Sequence, residues 1–142
     1  MKTEPVRGRP EAVGRVFSIS VEARPESIKS VRDFVAGAYE GVIDAMALYV
    51  LRTVAGELAT NAVQHGGVDD VVVRTYVSEE GAVVEVWDRA EAGVPEVKDA
   101  SDVAVCGRGV LMVEQLSARW GVVWPPGGGK IVWAVVRAVQ RG

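Results

Sequence analysis

Glu57 and Asn61 lie four residues apart in the stretch Glu57-Leu58-Ala59-Thr60-Asn61-Ala62-Val63-Gln64-His65-Gly66. In a helix that spacing stacks the two side chains on one face. Leu51, Val54, Ala55, Leu58 and Ala62 recur around them at helical spacing and form an apolar stripe. The Glu57–Asn61 face flanks this stripe, so a carboxylate and a carboxamide meet at the border of a core. Oxygen ligands of this kind suit Mg²⁺, a hard cation that keeps several waters and binds phosphates beside one or two protein groups. The plainer alternative is a solvated Glu and Asn on an ordinary amphipathic helix.

Two later segments bear on that choice. Val83-Val84-Glu85-Val86-Trp87-Asp88 reads as a strand that ends in an acid before a loop. Gly107-Arg108-Gly109-Val110-Leu111-Met112-Val113 opens a second amphipathic helix. A Gly-rich turn at a helix N-terminus offers free N–H groups and a partial positive charge, which suits phosphate. Arg108 adds charge. A lone Gly-x-Gly is a weak signal; its place after the Glu-x-x-x-Asn helix and the strand-end Asp gives it weight.

In this order the residues resemble the histidine-kinase-like ATPase (GHKL, or Bergerat) fold, and more narrowly the anti-sigma-factor serine/threonine kinases. Glu57 to Gly66 is similar to the family's N-box. Asp88 is similar to the acid of the G1 box, and Gly107-Arg108-Gly109-Val110 to the G2 box. Trp120-Gly121 and Gly129-Lys130-Ile131-Val132-Trp133 resemble the closing hairpin. The resemblance covers roughly residues 16–138. It implies that Asn61 ligates Mg²⁺ bridging the phosphates of ATP. Asp88 would accept a hydrogen bond from the adenine amine. Gly107, Arg108 and Gly109 would hold phosphate, and Glu57 would orient or deprotonate the attacking hydroxyl. The implied partners are an anti-anti-sigma (STAS-type) protein and a sigma factor, and the implied assembly is a homodimer. The chain departs from the pattern at one place. Ala90 stands where the G1 box has its first glycine, and no glycine follows two residues on. The added methyl restricts φ and hinders close approach of backbone to the base.

Composition limits the other classes. A chain of 142 residues is one domain by size, and 49% hydrophobic residues suffice for a core. No apolar run has membrane-spanning length, and Met1 to Arg15 carry no apolar segment of a secretion signal. One Cys and one His leave no internal disulfide and no Cys/His metal cluster. A net charge of −3 does not suggest a general nucleic-acid surface. These features agree with a cytoplasmic protein.

The positioning elements follow from patterning. Residues 1–14 read as a disordered lead, and 15–142 as the domain. Val16 to Val21 alternates like a half-buried strand. Pro25 marks a helix start, with Val31, Phe34, Val35 and Ala38 as its apolar face through about Glu40. Gly41 breaks that helix, and Asp44 is the expected N-cap of the helix ending at His65. Val71–Val77 and Ala82–Trp87 flank a hairpin turn. Residues 89–106 form a long loop of the kind used as a lid or binding loop. A helix over 107–118 and a hairpin of Arg119–Trp124 with Ile131–Val139 complete the chain. The expected fold class is α+β: a two-layer sandwich with a mixed, mostly antiparallel sheet covered on one face by about three helices. His65 reads as a C-terminal helix cap, Cys106 as a packing residue, and the four Trp as sheet packing.

Two functions remain open at this point. One is a serine/threonine kinase that phosphorylates an anti-anti-sigma protein. The alternative is a non-catalytic module that sequesters a sigma factor or other partner, with or without nucleotide.

Overall fold

The computed structural model describes residues 8–65, 69–89 and 108–140, with the backbone alone for 108–111. Its elements are β1 (Phe17–Glu22), α1 (Ser27–Tyr39), α2 (Ala45–His65), β2 (Asp70–Ser78), β3 (Gly81–Asp88), α3 (Arg108–Leu116), β4 (Arg119–Val123) and β5 (Lys130–Val136). The five strands form one sheet in the order β1-β2-β3-β5-β4, and every pairing is antiparallel. This is the expected α+β class.

Helix α2 forms where the apolar stripe predicts it. Leu51, Val54, Ala55, Leu58 and Ala62 are all buried. Asp44 caps it: its Oδ2 accepts from the Ala47 N–H at 3.0 Å, while Oδ1 accepts from the Val139 N–H at 2.7 Å. One carboxylate thus starts the central helix and ties down the chain after β5. Helix α1 starts two residues beyond Pro25, which lies in the turn closed by the Ser27 N–H to the Arg24 carbonyl at 2.9 Å. Val31 and Val35 of α1 are buried against α2 and the sheet.

Strand alternation sorts the sheet into two faces. Val71, Val73, Ala82, Val84, Val86, Val132, Ala134 and Val136 face the helices and join the main core. Tyr76, Val83, Trp133 and Val135 form a second apolar cluster on the outer face. Residues 8–13 contact that face. The Val13 N–H donates to the Val77 carbonyl at 2.7 Å, and the Arg119 guanidinium donates to the Gly8 carbonyl at 3.0 Å. Arg9 pairs with Glu85 at 2.8 Å. The Tyr76 hydroxyl donates to Glu85 Oε2 at 2.5 Å, and the Pro10 carbonyl lies 2.9 Å from the same hydroxyl. Glu85 is therefore buried on the outer face and matched by Arg9, Arg74 and Tyr76. Residues 1–7, the first half of the lead that composition reads as disordered, lie outside the described residues.

Glycine decides two close approaches. A Cβ at Gly121 would lie 2.8 Å from Trp133, and one at Gly129 would lie 2.4 Å from the Asp88 carbonyl oxygen. Gly129 also has φ +79°, in the left-handed region that a side chain disfavours.

Candidate functional site

Asn61 sits one turn after Glu57 on α2, as the spacing requires, and both are half-buried. Helix α2 packs on β3 and on α3. Asp88 ends β3 in the same alternation as Val84 and Val86, so it belongs to the helix-covered face. Glu57 and Asn61 thus lie on the helix that packs against the strand ending in Asp88. Arg108 and Gly109 begin the backbone of α3, also against α2. Gly107 lies outside the described residues, as do Ala90, Cys106 and nearly all of the 89–106 loop. His65 is exposed in the last turn of α2, where a cationic or dipolar cap belongs.

Asn61 supplies a direct test of whether a polar ligand fits here. Its Nδ2 is buried and has no hydrogen-bond partner among the described residues. Arg52 Nε, earlier on the same helix, is the other such side-chain atom. A buried polar group left without a partner costs about 1–3 kcal/mol. A ligand that meets the carboxamide removes that cost, and half a turn about its last bond presents Oδ1 to a cation instead. The residues present fit Mg²⁺ held by one protein oxygen together with phosphates and water. Among the described residues no group of three or more His, Cys, Asp or Glu side chains forms a metal cage of its own.

Asp88 is 2% exposed, and so is Lys130, opposite it in the β3–β5 register. The Lys130 ammonium lies 3.1 Å from Asp88 Oδ2 and 3.2 Å from Oδ1. Sequence reasoning missed Lys130, because a lysine after a glycine run reads as the solvated edge of a turn. Its place becomes visible only once strand register brings residues 42 apart in sequence face to face. The hairpin before it is fixed by the Trp87 Nε1–H, which donates to the Gly128 carbonyl at 3.1 Å, and by the Gly128 N–H to the Pro125 carbonyl at 3.0 Å. Arg89 follows Asp88 at the surface and pairs with Asp69 at 3.0 Å. Both partners are largely exposed, so that pair contributes little to stability.

A buried strand-end acid, a helix bearing Glu and an unspent Asn, and a second helix packed on that helix lie on elements that pack together. The profile of the histidine kinase-like ATPase domain matches residues 21–136 of the chain. The chain belongs to the histidine kinase-like ATPase family. No curated protein matches it at a significant level. Membership points to ATP binding and agrees with the five-stranded sheet and three helices found among the described residues. For a histidine kinase-like ATPase domain, the matched span contains Glu57, Asn61, Asp88, Lys130 and the start of α3. No helix among the described residues is long and apolar enough to cross a membrane.

Proposed function

We propose that the chain is a cytoplasmic, ATP- and Mg²⁺-binding serine/threonine kinase of the anti-sigma-factor type, acting on a small anti-anti-sigma (STAS-type) protein. The observation that carries this reading is the Glu57–Asn61 pair on α2, with the buried Asn61 amide lacking a partner. Asn61 would hold Mg²⁺ through its carboxamide oxygen, and the ion would there offset negative charge on the phosphates. Arg108 and the backbone of Gly107 and Gly109 hold the phosphates, and Asp88 receives the adenine amine. Glu57 takes the proton from the substrate hydroxyl as that oxygen bonds to the γ-phosphorus. The bond from phosphorus to the β–γ bridging oxygen breaks, and ADP departs with that oxygen. The residues mainly position groups and stabilise charge, as phosphoryl transfer requires.

Labelled-phosphate transfer from ATP to candidate anti-anti-sigma proteins tests the proposal. Glu57→Gln keeps size and most hydrogen bonding but removes the base. It should leave ATP affinity nearly unchanged and lower transfer by about 10²-fold or more. Tight ATP binding by the wild-type chain without transfer to any candidate would reject the kinase.

The second reading is a module that sequesters a sigma factor or other protein, and one surface favours it. Met46, Tyr49, Leu116 and Val139 are exposed apolar residues. Met46 and Leu116 line a cavity of about 440 Å³ together with Val50 and Val136. Exposed apolar surface of this kind marks protein contacts. A homodimer belongs to both readings, and light scattering near twice 15.1 kDa checks it.

A further inference from the structure

Lys130 carries a buried positive charge that the transfer chemistry above does not use. Its ammonium has three N–H donors, and the Asp88 carboxylate is its one partner among the described residues. At 2% exposure little water reaches the remaining donor capacity. A buried lysine is costly unless its pairing is complete, and breaking a buried pair is costlier still. The pair is also rigidly placed. Register sets Asp88 against Lys130, and the adjoining Gly129 approaches the Asp88 backbone too closely for any side chain.

Acceptor and donor together make a different reader from a lone carboxylate. We infer that Lys130 is a base-reading residue that donates to N1 of adenine while Asp88 accepts from the neighbouring exocyclic amine. This inference rests on the ATP reading and adds a specificity residue to it. The pair lies deep in the layer interface, so the part of a nucleotide that meets it is the edge farthest from the ribose. On adenine that edge presents an amine donor beside the N1 acceptor, matching Asp88 and Lys130 one to one. In the same orientation guanine presents a carbonyl oxygen to Asp88 and an N1–H to Lys130, which mismatches both. Two opposed mismatches at buried groups discriminate more strongly than one.

Calorimetry with base analogues tests the role without any enzyme assay. Wild-type protein should bind 1-deaza-ATP about 10- to 100-fold more weakly than ATP, the effect of losing a hydrogen bond to a charged group. It should bind 7-deaza-ATP nearly as well as ATP. Lys130→Met should weaken ATP binding and abolish the difference between ATP and 1-deaza-ATP, because the atom removed from the ligand then has no partner to lose. If Lys130→Met does not fold, the double variant D88N/K130M removes both buried charges and should likewise show no difference. Equal wild-type affinity for ATP and 1-deaza-ATP overturns the inference. So does a full 1-deaza penalty that persists without Lys130; the ATP reading survives either result. Failure of the wild-type chain to bind ATP at all would instead reject the nucleotide reading, and this inference with it.

Discussion

The Tyr39 hydroxyl, at the end of α1, donates to Thr75 Oγ1 of β2 at 2.8 Å. The direction follows from accounting. Thr75 has one hydroxyl proton and gives it to the Val83 carbonyl at 2.7 Å, so its oxygen accepts from Tyr39. This short chain of hydrogen bonds pins a helix end to the middle of the sheet inside the core.

Burial pushes the Tyr39 hydroxyl from 10.0 up to about 12. The folded state therefore holds the phenolic proton more tightly than the unfolded chain does. The resulting stability is fully present below pH 10 and is lost as pH rises towards 12. Tyr39→Phe should cost about 1 kcal/mol at pH 8. It should also flatten the fall in urea midpoint between pH 10 and 12. Some slope should remain, because burial and the Glu85 carboxylate raise Tyr76 as well. An unchanged alkaline profile in Tyr39→Phe would refute the assignment.

Nucleotide choice depends on Asp88. ATP should bind with Mg²⁺, and GTP much less well. Asp88→Asn should weaken ATP binding by about 1–3 kcal/mol. The carboxamide can still accept from the amine but no longer carries the charge that Lys130 faces. Titration of each nucleotide into both proteins measures this, and equal wild-type affinities for ATP and GTP would remove the adenine assignment.

Asn61→Ala should make nucleotide affinity insensitive to Mg²⁺. It should cost little stability in the free protein, because the buried amide nitrogen has no partner to lose. Parallel titrations with Mg²⁺ and with EDTA decide the matter. Retained Mg²⁺ dependence would make Asn61 a structural residue only.

Gly129→Ala should be the most disruptive single-methyl change near the site. Left-handed backbone costs a side chain about 1–3 kcal/mol, and the new Cβ would also meet the Asp88 carbonyl oxygen and Trp87. The melting temperature should fall by about 5 °C or more. ATP affinity should fall with it, since the strand ends that carry Asp88 and Lys130 must separate. A melting temperature within a degree of wild type would contradict the close approach.

Much of this architecture was legible because it is local. The stripe from Leu51 to Ala62 and the Asp44 cap depend on residues three or four apart. The β2–β3 hairpin follows from alternation on either side of a two-residue turn, and Glu57 and Asn61 inherit their placement from α2. What was not legible depends on register between distant segments. Alternation alone puts Glu85 on an outward, solvated face. It is buried because Arg9, Pro10 and Tyr76 close over it, and Arg9 is 76 residues away in sequence. Lys130 is hidden in the same way by Asp88. Trp124 fails in the opposite sense: the pattern extends β4 to include it, but the strand ends at Val123 and the indole is half-exposed.

Residues 8–13 have a practical meaning for handling this molecule. They have no helix or strand, so a chain trimmed to begin at residue 14 would look tidier on paper. Such trimming would remove the Pro10 carbonyl from the Tyr76 hydroxyl and leave the Glu85 carboxylate without Arg9. Six residues without regular structure thus carry contacts on which the buried Glu85 depends.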